Sequence, residues 1–138
     1  MKKNTRIKQK ASKSPLVLII EDEQFLCNLM VKKLMKSSLK VEGRFDGETG
    51  FQAVVEKKPD IVLLDLLLPG IDGFEVLRRL KQDEGLKKIP VIILSNLGES
   101  KDIDRAMQLG ASAYLVKAEH SPEEVVGKVW EFVGKKRN

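Results

Sequence analysis

The run Ile61-Val62-Leu63-Leu64-Asp65-Leu66-Leu67-Leu68-Pro69-Gly70-Ile71-Asp72-Gly73-Phe74-Glu75 decides the fold. Its first four residues form a short, continuous apolar stretch of the kind expected for a strand buried on both faces. The stretch stops on a carboxylate, Asp65. Asp72, with Glu75 three residues on, fits the capping pattern of a helix start, and Phe74, Val76, Leu77 and Leu80 then recur with helical period.

Working outward, three more runs have the same character: Leu16 to Ile20, Val91 to Leu94 and Ala113 to Val116. A fifth segment, Lys40 to Phe45, alternates instead, with Val41, Gly43 and Phe45 on one side, and reads as an edge strand. Helical periodicity fills the intervals. It is marked by Phe25, Leu29, Met30 and Leu34, then by Phe51, Val54 and Val55, then by Ile103, Ala106, Met107 and Leu109. Val125, Val126, Val129, Trp130 and Val133 mark the last helix, which Ser121-Pro122-Glu123-Glu124 opens with proline at the first helical position. Five strands thus alternate with five helices. Right-handed crossovers then give an α/β fold: a flavodoxin-like (βα)5 doubly wound parallel sheet in the order 2-1-3-4-5, with the alternating strand at an edge.

The chain's 138 residues suffice for one core, and 42% hydrophobic with 33% charged residues is ordinary for a globular chain. No apolar run approaches the roughly 20 residues that span a bilayer, and no signal-peptide pattern precedes the first strand, so no membrane span and a cytoplasmic address are expected. The net charge of +5 is unevenly placed. Residues 1 to 13 carry six basic side chains and no acid, and the last four positions carry three more, which leaves 16 basic against 20 acidic residues between them. We therefore expect a basic disordered tail over 1–14, one domain over 15–134 and a basic C-terminal tail over 135–138, around an acidic body. The single cysteine, Cys27, falls on a helix and is expected to be a buried, inert thiol. His120 is expected in a solvated loop beside a helix cap.

In open α/β sheets ligands bind beyond the carboxyl ends of the strands. The first run stops at Glu21-Asp22, the third strand at Asp65, the fourth at Ser95 and the fifth at Lys117. Any strand must end on something polar, so each residue alone says little; together they place three carboxylates, a hydroxyl and an ammonium at one edge. Carboxylates held close repel, and ionising all three calls for a cation, with oxygen donors favouring Mg²⁺ or Mn²⁺ over zinc. Lys117 can neutralise an incoming phosphoryl group and Ser95 can donate to one of its oxygens, leaving a carboxylate as nucleophile.

The chain resembles a bacterial response-regulator receiver domain from about Pro15 to Gly134. The resemblance is carried by Leu18-Ile19-Ile20-Glu21-Asp22-Glu23, by Asp65 to Gly73, by Ile92-Ile93-Leu94-Ser95 and by Gly110 to Lys117. It implies that Asp65 is the phosphoacceptor, that Asp22 and Asp65 hold the metal with Glu21 acting through water, and that the main-chain carbonyl of Leu67 completes the protein ligands. It implies too that Lys117 and Ser95 contact the phosphoryl oxygens and that Tyr114 is the aromatic that turns inward on activation. The implied donor is a histidine kinase or histidine phosphotransfer protein, and the output is a change on the face made by the fourth helix, fifth strand and fifth helix, read by a partner protein. Three departures stand out: Glu21 where Asp is commoner, Asn96 where a smaller residue is usual, and Ala118 in place of the proline after the lysine, so that the cis peptide usual there in the family is not assumed and the isomer is left open.

Rival readings fit less well. A haloacid-dehalogenase-like phosphatase needs a second Asp where Leu67 stands, a flavin carrier of this fold needs a phosphate-cradling first loop, and a DNA-binding regulator needs an output domain, which is not expected from the few residues given after Trp130 and Phe132. The alternative kept is a phosphorylation-independent pseudo-receiver scaffold, a class that usually loses the acids or the lysine present here. Finally, positions two beyond the acceptor and two beyond the hydroxyl, polar in receivers that lose phosphate quickly, are Leu67 and Leu97, so slow loss is expected.

Overall fold

The computed structural model describes residues 14–137. The tail expected over 1–14 lies outside the described residues except for Ser14, as does Asn138. Five strands and five helices alternate: β1 Leu16–Ile20, α1 Gln24–Lys36, β2 Lys40–Arg44, α2 Gly47–Lys57, β3 Ile61–Leu64, α3 Gly73–Gln82, β4 Val91–Ser95, α4 Ser100–Gln108, β5 Ala113–Val116 and α5 Pro122–Arg137. The sheet is parallel throughout in the order β2-β1-β3-β4-β5, the flavodoxin-like order expected. Helix α5 continues past Gly134, so helical backbone extends into the segment read as a C-terminal tail.

The unbroken apolar runs divide by strand alternation. Leu18, Ile20, Val62, Leu64, Val91 and Ile93 face α2, α3 and α4, where they meet Ala53, Val54, Phe74, Leu77, Leu80 and Ala106. Val17, Ile19, Ile61, Leu63, Ile92 and Leu94 face α1 and α5, against Cys27, Met30, Leu34, Val125, Val129 and Val133. Each fully buried aliphatic side chain contributes roughly 1.5–3 kcal/mol relative to exposure, so packing rather than helix propensity holds these short elements.

Some apolar residues read as core are not. Phe25 is 84% exposed, because α1 meets the sheet through Cys27, Met30 and Leu34 and Phe25 lies about half a turn round the helix from them. Phe45 follows the last residue of β2 and Met107 lies on the outer side of α4; both are exposed. The capping patterns also differ. Ser121 and Glu124 form a full box, Ser121 Oγ accepting from Glu124 N at 3.1 Å and Ser121 N donating to Glu124 Oε1 at 2.7 Å. Asp72 caps Glu75 N at 2.9 Å, but the Glu75 carboxylate turns away to Arg78 and Arg79, which draw its pKa down to about 2.

One glycine fixes how close a helix comes to the strand ends. A Cβ at Gly73 would lie 2.2 Å from the carbonyl oxygen of Asp65 and 2.6 Å from Leu66 Cα, both backbone atoms that cannot swing aside. Gly73 N instead donates to Leu66 O at 3.0 Å, so α3 starts directly behind Asp65. Gly73→Ala must therefore push α3 away, at a cost of about 2–3 kcal/mol. Urea denaturation checks this; a loss under about 0.5 kcal/mol, the scale of an ordinary surface substitution, would contradict it.

Candidate functional site

The carboxyl edge of the sheet carries the chemistry. Glu21 and Asp65 directly follow β1 and β3, where Glu21 N bonds to Arg44 O at 2.9 Å and Asp65 N to Ile20 O at 3.0 Å, so the ladder extends under both. Ser95 closes β4 and Lys117 follows β5, opening a short 3₁₀ turn over Lys117–Glu119. Glu21, Asp65 and Ser95 are buried, while Asp22 is exposed. One carboxylate oxygen from each of Glu21, Asp22 and Asp65 lies within 4.8 Å of the other two. The three acids singled out in the sequence thus lie together at this edge, where β4 ends on Ser95.

Lys117 Nζ sits between the two buried acids, 2.6 Å from Glu21 Oε1 and 2.8 Å from Asp65 Oδ2. The remaining carboxylate oxygens accept from backbone amides: Glu21 Oε2 from Glu23 N at 3.1 Å, Asp65 Oδ1 from Leu67 N at 3.1 Å. Burial works against the Lys117 charge, but its bonds to Asp65 and Glu21 prevail and hold its pKa above the usual lysine range. Burial, with the charge of Asp65 adding to it, pushes Glu21 up to about 6 against the pull of Lys117 and the Glu23 amide. Asp22 has no ion-pair partner among the described residues.

A second set of bonds links the residues expected to act as the switch. Ser95 Oγ accepts from Leu97 N at 3.3 Å, and the Leu97 carbonyl accepts from the Tyr114 hydroxyl. The main chain of one residue thus joins the hydroxyl at the site to the half-buried aromatic on β5. Sequence reasoning singled out the side chain of Leu97 and missed its main chain, since nothing in a leucine signals that its amide and carbonyl bridge two strands. Leu97 itself packs on the core, whereas Leu67 is 52% exposed. Cys27 is buried, with its thiol pushed up to about 11 by burial and by Glu21. His120 follows the 3₁₀ turn, 4.0 Å from Glu124. No cis peptide occurs among the described residues, so the Lys117–Ala118 bond, left open from the sequence, is trans.

The family model described as the response regulator receiver domain matches residues 17–129, and the chain belongs to that family, the receivers of two-component signalling. It is 36% identical over 115 residues to the DNA-binding dual master transcriptional regulator RpaA of Synechocystis sp., covering 83% of this chain and 47% of that one. It is 35% identical over 104 residues to the response regulator PleD of Caulobacter vibrioides, covering 75% of this chain and 23% of that one. The chain spans about half the length of these curated relatives or less. With RpaA described as DNA-binding, such relatives give no support to the expectation that no DNA-binding domain is attached. Among solved structures, the phosphorylated cyanobacterial phytochrome response regulator RcpA superposes with a TM-score of 0.76 at 30% identity, covering 86% of this chain and 93% of that one. The Mn²⁺-bound form of response regulator Rcp1 gives 0.73 at 27% identity, with the same coverage. No helix among the described residues is long and apolar enough to cross a membrane.

The raised Glu21 carboxyl has a thermodynamic consequence. The folded chain keeps this proton to a higher pH than the unfolded chain, so it binds more protons between about 4.5 and 6, and stability falls as pH rises through that window. Glu21→Gln has no proton to lose and flattens this segment of the stability curve. Urea denaturation at closely spaced pH values, without added divalent metal, measures it, and equal slopes in parent and variant would exclude Glu21 as the titrating group.

Proposed function

We propose that Asp65 accepts a phosphoryl group from the phosphohistidine of a histidine kinase or histidine phosphotransfer protein and that the phosphorylated chain signals to a partner protein. The observation that carries this reading is the Lys117 ammonium 2.8 Å from Asp65 Oδ2, in a buried cup with two further carboxylates. An oxygen of Asp65 forms the new bond to phosphorus as the phosphorus–nitrogen bond to the donor imidazole breaks, and the imidazole leaves with the electron pair. Lys117 and Ser95 meet the phosphoryl oxygens. A chain kept only as a scaffold has no need of this convergence, which weighs against the pseudo-receiver.

The donor set suits a hard divalent cation. It consists of oxygens alone, it carries more negative charge than one lysine balances, and its exposed member, Asp22, offers a way in from solvent. Asp22, Asp65 and the Leu67 carbonyl would hold Mg²⁺ or Mn²⁺ directly, with Glu21 through water. Such an ion, when bound, offsets charge on the phosphoryl oxygens. The related Rcp1 has been seen with Mn²⁺ and the related RcpA phosphorylated, which supports both halves of the reading.

The output face is that of α4, β5 and α5. If Ser95 Oγ turns to a phosphoryl oxygen it releases Leu97 N, and the Leu97 main chain that holds the Tyr114 hydroxyl is then free to shift.

Incubation with acetyl phosphate and Mg²⁺, followed by intact mass and adduct mapping, tests the core of this. The parent is expected to gain one acid-labile adduct at Asp65, and Asp65→Asn none; a stoichiometric adduct on the variant at the parent's rate would remove the assignment. Asp22→Ala is expected to weaken Mg²⁺ binding, followed by amide NMR shifts, at least tenfold, and unchanged affinity would take Asp22 out of the metal shell.

Loss of the group is expected to be slow, since hydrolysis needs a water aligned with phosphorus and neither Leu67 nor Leu97 can bind one. Leu67, exposed beside the acceptor, is the residue placed to matter more. Decay of the adduct after donor removal should quicken about fivefold in Leu67→Asn, and further in the double variant with Leu97→Glu. A double variant that decays no faster than the parent ends this account.

A further inference from the structure

The side chain of Glu21 reaches Lys117 directly. Oε1 lies 2.6 Å from the ammonium, a shorter contact than the 2.8 Å to Asp65, and Oε2 is fixed by the Glu23 amide at 3.1 Å. The carboxylate is nearly inaccessible, with its side chain 5% exposed, and the lysine side chain is 11% exposed. This is a charge-assisted pair in a site where water competes little.

Lys117 needs such a holder more than the other groups at the edge. Glu21 and Asp65 follow strands with neighbours on both sides, whereas Lys117 follows β5, a four-residue edge strand that is only partly buried. The residue after it, Ala118, carries no ring to restrict the backbone. The ammonium also rides on a flexible four-carbon stem with three rotatable donors, so its position is set by whatever anions surround it.

Asp65 cannot be the lasting anchor. Once one of its oxygens is bonded to phosphorus, its carboxylate charge is gone and its geometry is that of an acyl phosphate, while Glu21 keeps both charge and place. We infer that Glu21 is a positioning residue for Lys117: it keeps the ammonium at the acceptor throughout the transfer, in addition to any water-mediated contact with the cation. This inference rests on the reading of Asp65 as acceptor. Its structural basis, the direct reach of a glutamate to the lysine, does not depend on that reading.

Shortening the side chain separates the two tasks. Glu21→Asp retains the negative charge in the cup but withdraws the carboxylate by about 1.5 Å, one carbon–carbon bond, which takes it out of hydrogen-bond reach of Lys117. Phosphorylation by acetyl phosphate is measured at saturating Mg²⁺ in the parent, Glu21→Asp, Lys117→Met and the double variant, with the Mg²⁺ dissociation constant of each. We expect Glu21→Asp to slow phosphorylation about tenfold while Mg²⁺ affinity stays within about threefold, and to have no further effect in the Lys117→Met background, as expected for two groups acting as a unit. Equal slowing in both backgrounds, an unchanged rate, or a tenfold loss of Mg²⁺ affinity that accounts for the slowing would assign Glu21 to the cation alone. A readout without phosphoryl transfer stands beside this one. Exchange of the Lys117 ammonium protons, followed by side-chain nitrogen NMR, is expected to be slow in the parent and in Asp65→Asn and fast in Glu21→Asp; equal exchange in parent and Glu21→Asp overturns the inference. If the parent gains no adduct, the Asp65 reading fails, and the exchange measurement still decides this one.

Discussion

Strands buried on both faces can place polar groups only where they end, and this constraint shapes the molecule. Parallel pairing puts all the carboxyl ends on one side, and the register aligns Ile20 with Leu64, Leu64 with Ile93 and Ser95 with Val116. The acids that follow β1 and β3 and the lysine that follows β5 therefore meet within a few ångströms, although 96 positions of chain separate Glu21 from Lys117. An antiparallel sheet of the same strands would send these ends to opposite sides. Gly73 completes the arrangement by letting α3 begin against the Asp65 backbone, which fixes Asp65 from behind.

The resulting electrostatics are unbalanced by design of the fold. Three carboxylates face one ammonium, two of them buried with the lysine between them and the third in water. The buried pair is tolerable because every oxygen has a partner, either Lys117 or a backbone amide, and unpartnered buried charge would cost several kcal/mol. The strain that remains is seen in Glu21, whose proton is held to about pH 6. A site in this condition gains from a divalent cation, and the exposed Asp22 is the group free to receive one. Under the proposed function the same surplus charge repels a bare phosphoryl donor, so cation and phosphoryl group enter as linked events.

The fold and the acid–lysine site were legible because each left a local mark: an apolar run, then a charged or hydroxyl residue. Edge position was legible for β2 from its alternation. The failures are those of helical faces and of main-chain bonds. Phe25 stands at helical spacing from Leu29, but period does not say which face of the helix meets the sheet, and Cys27, Met30 and Leu34 took that place. Glu75 matches a capping box, but two arginines on the same helix compete for its carboxylate and win, since each brings a full opposite charge that a backbone amide lacks. The link from Ser95 through the Leu97 main chain to Tyr114 left no mark, because any residue supplies an amide and a carbonyl.

That link gives β5 its importance. Tyr114 lies on this short strand and Lys117 directly follows it, three residues further on, while Val116 between them pairs with Ser95. A displacement at the end of β5 is thus felt at once by the ammonium and by the tyrosine hydroxyl. Helix α4 is tied into the same arrangement at two points. It begins three residues after Leu97, and the Arg105 guanidinium lies over the Phe74 ring with its carbon 4.0 Å from the centroid, one residue beyond the Gly73 that abuts Asp65. Such a contact contributes roughly 0.5–2 kcal/mol, comparable to a single hydrogen bond. Both restraints lead back to the carboxyl edge of the sheet, one through Leu97 to Ser95 and the other through Phe74 and Gly73 to Asp65, so the placement of α4 is coupled to the ends of β3 and β4.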